Sequence, residues 1–134
     1  MVVAAAGSTL REAFANAALA VLGLAVDPAS VKEREVREVR AHGTTAEALL
    51  IQWISECLYV HEVEGFVSRR VDFVVFDTEP KPGGEPLRLH GLLHGEELDP
   101  ARHQVKTAIK ESPPHSASIQ PFPGGFKIAL EVTV

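Results

Sequence analysis

The longest regular pattern of apolar residues in this chain runs through residues 44–65. Its apolar side chains recur at the i, i+3, i+4, i+7 spacing of one helix face: Ala46, Leu49, Leu50, Trp53, Ile54, Cys57 and Leu58. Thr44 and Glu47 form a T-x-x-E capping box at the start, and Gly65 tolerates the left-handed conformation that ends a helix. The pattern predicts a central helix whose apolar face is buried against a sheet.

A second helical pattern covers residues 9–22. Thr9 and Glu12 form another T-x-x-E box. The apolar residues that keep the helical period are Leu10, Phe14, Ala17, Ala18, Val21 and Leu22. Pro28 prevents much continuation of this helix. Ahead of it, the apolar residues 2–6 predict a short strand.

Residues 31–41 give no clear period. Charged residues with good helix propensity dominate the segment, and its three valines are too sparse to select either a helical or a strand spacing. Local propensity therefore favours a helix there. The charges of both signs are interspersed, which is typical of a solvated surface.

Four later segments alternate apolar and polar residues with the two-residue period of β-strands: Phe66–Asp77 and residues 87–94, 104–110 and 126–134. In the first of them the alternation places Val67, Val71, Phe73 and Val75 on one face. The last segment is the clearest strand. In residues 104–110 the polar side carries Lys106 and Lys110.

Turn residues separate these strands. Residues 78–86, with three prolines and two adjacent glycines, predict a loop. Asp99-Pro100 marks a turn, and Ser112-Pro113-Pro114 ends the strand at residues 104–110. No repeat or linker divides the 134 residues, of which 46% are hydrophobic. We expect one α+β domain over residues 1–134, with two helices packed on a mostly antiparallel β-sheet.

The charge balance limits the function classes. Thirteen basic and eighteen acidic residues give a net charge of −5, which argues against a general nucleic-acid binder that acts by counterion release. An RNA-related role would then act through a protein partner. The only cysteine, Cys57, has no disulfide partner within the chain. No apolar stretch is long enough to cross a bilayer, so we expect no membrane association and a cytoplasmic protein.

The strong local signatures of catalysis are absent from the sequence: nucleophile elbow, P-loop, dinucleotide fingerprint and paired-cysteine metal site. Four histidines, His90, His94, His103 and His115, would be candidate metal ligands if they met at one sheet edge. Strand positions four apart are separated by about 13 Å, so His90 and His94 cannot both reach one ion. Four unrelated surface histidines are the favoured interpretation.

Residues 95–110, reading GEELDPARHQVKTAIK, are a better candidate for a functional segment. The turn places Asp99 and His103 just before a strand that presents Lys106 and Lys110 on its polar side. Loops of this kind often carry function. Spacing alone leaves open a hairpin turn capped by Asp99 with two solvated lysines.

The same segment resembles the archease family. The pattern G-E-x-x-D-P-x-x-H-x-x-K-T-x-x-K, followed by a histidine five residues later, is formed here by Gly95, Glu96, Asp99, Pro100, His103, Lys106, Thr107, Lys110 and His115. Two further stretches, at residues 7–20 and 47–58, are similar to the first and second helices of that family. The likeness thus involves three segments in the right order across nearly the whole chain.

The resemblance implies a non-catalytic, chaperone-like protein cofactor of the RtcB-type RNA ligase, which seals tRNA halves through a guanylated histidine. Such a protein promotes guanylation and turnover of the ligase and meets tRNA only through it. We expect Asp99, His103, Lys106 and Lys110 to lie together on a polar edge that contacts the ligase. The family fold also implies a strand, not a helix, at residues 31–41.

The family further implies a divalent-metal site, with calcium as the expected ion. One of its ligands belongs to a D-H-T-A-D motif that this sequence does not contain, and the C-terminal acidic ligand corresponds to Glu131. We therefore expect calcium to bind weakly or not at all, through Glu131 and the backbone carbonyl of Val132. Two alternatives are a small metal-dependent enzyme that uses the histidines with Glu131 or Asp99, and a degenerate archease that keeps only the scaffold. Pro113-Pro114 is a further departure from the family pattern.

Overall fold

The computed structural model describes residues 1–109 and 113–133. The two α-helices are α1 Leu10–Leu22 and α2 Ala46–Val63, and a short 3-10 helix covers Pro28–Ser30. The six strands are β1 Val2–Gly7, β2 Glu35–Gly43, β3 Phe66–Asp77, β4 Leu87–Glu97, β5 Ser116–Phe122 and β6 Gly125–Glu131. None of the described helices is long and apolar enough to cross a membrane.

The strands form two antiparallel three-stranded sheets, with orders β1-β6-β5 and β2-β4-β3. The predicted α+β fold is confirmed, with two sheets instead of one. The first and last strands pair with each other, and their register places Val2 opposite Glu131. The helices contact each other and strands of both sheets, so they join the two sheets through one core.

Trp53 lies at the centre of this core. Its side chain is fully buried, and its indole Nε1–H donates a 3.0 Å hydrogen bond to the carbonyl oxygen of Phe14 on α1. The indole also lies directly over Gly91 of β4, where an added Cβ would come within 2.6 Å of the ring. A glycine at this strand position is therefore needed for the close approach of helix and sheet.

The helix predictions are confirmed with one correction. In α1, the backbone N–H of Glu12 donates to the Thr9 hydroxyl at 3.1 Å. At α2 the capping residue is Thr45, whose hydroxyl accepts from the N–H of Ala48 at 3.1 Å, so the prediction of Thr44 is wrong. Two successive threonines precede this helix, and sequence alone does not distinguish them. Gly65 adopts the predicted left-handed conformation, with φ of 63°.

The helix favoured by local propensity at residues 31–41 is wrong, and the strand implied by the family is confirmed. Residues 35–43 form β2, which pairs with β4 along its whole length. This pairing buries Val39 and Ala41 against the core. Tertiary burial of one strand face outweighs the weak helix propensity of the charged residues on the other face.

The prediction for β3 is right in extent but not in the orientation of its side chains. Register shifts against β4 lie between Ser68 and Arg70 and between Phe73 and Val75. Phe73 contacts Trp53 in the core, with ring centroids 5.1 Å apart, whereas Val75 lines a groove on the outer face. The second irregularity therefore moves Val75 away from the face of Phe73.

The strand predicted at residues 104–110 is also wrong. Residues 104–109 are irregular, and residue 110 lies outside the described residues. The partner of β6 is instead β5, joined to it by a two-residue turn at Pro123 and Gly124. The sequence pattern missed β5 because the strand contains Pro121, which is tolerated since β5 lies at the edge of its sheet.

Candidate functional site

A buried carboxylate, Glu96, organises the segment that follows β4. Only 3% of this residue is exposed. The backbone N–H of Lys32 donates to Glu96 Oε2 at 2.6 Å, and the side chain of Arg102 donates to Oε1. The guanidinium of Arg34 lies 3.7 Å from Oε1. Through these interactions Glu96 connects the turn after β4 with the segment that precedes β2.

His103 is the second buried member of this cluster. Its ring Nδ1 accepts a 2.9 Å hydrogen bond from the backbone N–H of Asp99, so the ring proton is assigned to Nε2. The Nε2–H group then donates a hydrogen bond to Glu96 Oε2, with 3.1 Å between the nitrogen and the oxygen. Only 1% of His103 is exposed, so the expectation that it lies on a polar edge is wrong. A ring held by two hydrogen bonds in this way fixes the conformation of the turn.

The surroundings of Glu96 lower its pKa. Burial alone would raise the pKa, because it disfavours the charged carboxylate. The hydrogen bonds from the Lys32 amide, Arg102 and His103 oppose burial and prevail, so that the pKa of Glu96 falls from 4.5 to about 2. Glu96 is therefore ionised at neutral pH, and the cluster is a charge-assisted network.

The turn itself is closed by Asp99. Its carbonyl oxygen accepts from the N–H groups of Arg102 and His103 at 2.9 and 2.7 Å, and its carboxylate accepts from the N–H of Ala101 at 3.0 Å. Further along, the N–H of Lys106 donates to the carbonyl of Ala25 at 2.8 Å. The backbone from Asp99 to Lys106 is thus attached at both ends, while the Lys106 side chain is exposed and that of Asp99 is half-exposed.

We call residues 98–106 the anchored loop. Of the four residues predicted to bind a partner, it carries three: Asp99 and Lys106 with accessible side chains and His103 buried beneath them. Lys110 lies outside the described residues. Beside the loop, a polar groove of about 420 Å³ is lined by Arg34, Glu35 and Glu97 with the first residues of the loop.

The sequence indicated Glu96 only as part of the family pattern and did not predict its role. The residue lies on β4, whose alternation gives no reason to bury a carboxylate. Its partners come from positions 32, 34, 102 and 103, so no single local pattern contains the cluster. The one available signal was the presence of Arg102 and His103 shortly after Glu96.

The histidines do not meet at one sheet edge. His90 Nε2 lies 3.5 Å from Glu38 Oε1 of β2. His94 Nε2 lies 3.0 Å from Asp72 Oδ2 of β3, the strand on the other side of β4. His115 interacts through Nε2 with the Thr133 hydroxyl at 2.7 Å. Within residues 1–109 and 113–133 there is no group of three or more His, Cys, Asp or Glu side chains that could hold a metal ion.

Glu131 lies at the end of β6 with an exposed side chain. The carbonyl of Val132, the second expected ligand, accepts a 3.0 Å hydrogen bond from the Met1 ammonium group. One carboxylate and one carbonyl that is already bonded do not fit the six to eight oxygens that calcium takes. The described residues here do not by themselves form a calcium site.

Comparison with known proteins gives one consistent family. The model of the Archease protein family matches residues 1–134. Protein archease of Pyrococcus abyssi is 34% identical over 119 residues, which cover 89% of this chain and 80% of the relative. Protein archease of Methanosarcina mazei is 32% identical over 128 residues, covering 96% of this chain and 85% of the relative.

The fold is similar to a solved structure as well. The solution structure of Methanobacterium thermoautotrophicum protein 1598 superposes with a TM-score of 0.72 at 26% sequence identity. The match covers 98% of this chain and 89% of that protein. The sequence likeness and the likeness in architecture therefore extend over the same, nearly complete length.

Proposed function

Because this chain belongs to the archease family, we propose that it is a protein cofactor of the RtcB-type RNA ligase. In this role it promotes guanylation and turnover of the ligase during tRNA splicing, in the cytoplasm, and does not join RNA itself. Contact with tRNA is indirect, through the ligase. The net charge of −5 supports this, because an acidic protein gains little from direct contact with the RNA backbone.

The observation that carries the proposal is the construction of the anchored loop. Buried Glu96 holds Arg102 and His103 in place, and Asp99 and Lys106 extend from the same backbone into solvent. A preorganised loop loses little conformational entropy when a partner binds. We propose that Asp99 and Lys106 contact the ligase and that His103 acts by positioning them.

The first prediction tests this contact. Lys106→Ala removes an exposed charge and leaves the backbone hydrogen bond of Lys106 to Ala25 intact, so the fold should be unchanged. We expect the variant to accelerate guanylation of the cognate ligase at least about tenfold less than the unmodified chain does at a fixed low concentration. Lys127→Ala, at an exposed lysine on β6, is the matched control and should retain full activity.

This experiment tests the loop contact and the cofactor role separately. If Lys106→Ala activates as well as the unmodified chain, the loop contact is wrong while the cofactor role stands. If the unmodified chain gives no increase in guanylation, the cofactor role is wrong. Circular dichroism of each variant checks that any loss does not come from unfolding.

We also propose that calcium, where it binds, uses Glu131 as its only side-chain ligand among the described residues. A single carboxylate leaves water to complete the coordination shell, so the expected Kd is in the millimolar range, about 1 mM or weaker. Calorimetry with calcium on the unmodified chain and on Glu131→Gln measures this. Micromolar binding, or binding that Glu131→Gln leaves unchanged, would contradict it.

A further inference from the structure

Four basic side chains lie in two adjacent cross-strand pairs on the β2-β4-β3 sheet. In the register of β2 against β4, Arg40 is opposite His90 and His42 is opposite Arg88. Paired residues have Cβ atoms about 5 Å apart, and the next pair on the same face lies about 7 Å further along the strands. The four groups therefore share one small area of the sheet.

The area faces away from the core. Ala41 and Leu89, which alternate with the basic residues, are 4% and 3% exposed and point towards the helices. On the opposite face Arg40, His42 and Arg88 are exposed, and His90 is half-buried. Arg40, His42 and Arg88 are thus accessible from solvent, whereas Nε2 of His90 is buried.

A groove of about 370 Å³, which we call the basic groove, is lined by these four residues and by Ala41, Val75 and Leu89. Val75 reaches it because of the register shift of β3 after Phe73. The volume lies within the range of sites for small ligands. The basic groove combines a largely apolar lining with the hydrogen-bond donors of its basic side chains.

The positive charge of the basic groove is only partly neutralised. Within residues 1–109 and 113–133, neither Arg40 nor Arg88 lies within ion-pair distance of a carboxylate. Asp77, opposite Arg88 on β3, binds Lys81 at 2.5 Å and also interacts with Arg88 electrostatically, beyond ion-pair distance. Among the described residues, Glu38, at 3.5 Å from His90, is the one carboxylate within ion-pair distance of a basic residue that lines the groove.

Arg70 of β3, by contrast, is paired with carboxylates. Its guanidinium is bound to Glu33 at 2.9 Å and to Asp72. Arg70 lies opposite His94, further along the sheet, and has two carboxylate partners, whereas Arg40 and Arg88 have none within ion-pair distance among the described residues. Arg40 and Arg88 occupy diagonal positions in the register of β2 against β4, so two cations without an ion-pair partner belong to the same area of the sheet.

We propose that the basic groove binds a small phosphate-bearing ligand of mononucleotide size. Guanidinium groups match phosphate oxygens in bidentate geometry, and the exposed imidazole of His42 adds a donor. A small ligand is favoured over a nucleic acid because the whole chain carries −5, so an extended phosphate backbone would meet repulsion beyond the groove. This site is separate from the anchored loop and does not depend on the proposed function.

The test is calorimetry at low salt with inorganic pyrophosphate and with AMP as probes. Because each arginine supplies charge-assisted hydrogen bonds, we expect Arg40→Gln and Arg88→Gln each to weaken binding about tenfold or more. Arg70→Gln makes the same change of charge on the same sheet at an arginine that is already paired, and should leave the affinity within about twofold.

Three results would overturn the proposal. The first is no detectable binding of either probe to the unmodified chain at millimolar concentration. The second is an equal loss of binding affinity in Arg70→Gln, which would mean that the overall charge of the protein, and not the groove, determines binding. The third is binding of a single-stranded RNA oligonucleotide, sensitive to Arg40→Gln, without binding of pyrophosphate or AMP, which would make the groove part of a nucleic-acid interface. All three variants are on the surface, and circular dichroism checks their folding.

Discussion

Replacing Trp53 with alanine is expected to lower the free energy of unfolding by about 3–5 kcal/mol. The indole is fully buried, contacts Phe73 of β3 and lies over Gly91 of β4, so its removal leaves a cavity between helix and sheet. It also removes the donor to the Phe14 carbonyl, which is then buried without that hydrogen bond. Urea unfolding followed by circular dichroism measures the change, because Trp53 is the only tryptophan and its fluorescence is lost.

Tyr59 provides the matched control on the same helix. Its side chain is 43% exposed, so Tyr59→Ala should lower the free energy of unfolding by less than about 1 kcal/mol. The loss in free energy of unfolding for Trp53→Phe should lie between those of the two alanine variants, since phenylalanine keeps an aromatic ring but lacks the hydrogen bond. Similar losses for Trp53→Ala and Tyr59→Ala would show that α2 is not joined to the sheets through Trp53.

The second large effect is expected at Glu96. Glu96→Gln keeps the shape of the side chain but removes the charge that Arg102 and Arg34 interact with. The amide also cannot accept from both Lys32 and His103 and pair with Arg102 as the carboxylate does. We expect a loss of about 2–3 kcal/mol at pH 7. Glu97→Gln, at the next and exposed position of β4, should change stability by less than about 0.5 kcal/mol.

The loss at Glu96 should depend on pH in a defined direction. The folded-state pKa is lowered from 4.5 to about 2, so the stabilising contribution is fully present above pH 4.5 and declines as pH falls towards 2. The difference in unfolding free energy between the unmodified chain and Glu96→Gln should therefore shrink over that interval. Urea unfolding at pH 7, 4 and 3 measures it, and a constant or growing difference would contradict the role of the ionised carboxylate.

Glu96 also connects stability with the proposed function. Because its carboxylate holds Arg102 and His103, its loss frees the anchored loop that presents Asp99 and Lys106. The sequence predicted this loop as the functional segment and identified the turn at Asp99. It did not predict that His103 is buried, because its burial depends on a carboxylate from β4 that also binds the Lys32 amide 64 positions away in sequence.

The sequence by itself determined the elements whose hydrophobic period is regular. These are both helices and the strands β4 and β6, in which apolar side chains of neighbouring turns or alternate residues define a buried face. The sequence also predicted the presence of β1 and the extent of β3, but not which side chains of β3 share a face. Three segments in the right order also indicated the family. Such signals are local, because each is complete within a window of about ten to twenty residues.

Only the tertiary structure decided the remaining features, because each depends on a partner far away along the chain. Residues 35–43 form a strand since β4 is there to pair with them, and β5 exists as the edge partner of β6 despite Pro121. The basic groove arises from the register of β2 against β4, which brings Arg40 opposite His90. Pairing and burial between distant segments override local propensity, and they alone bring the charged groups of both sites together.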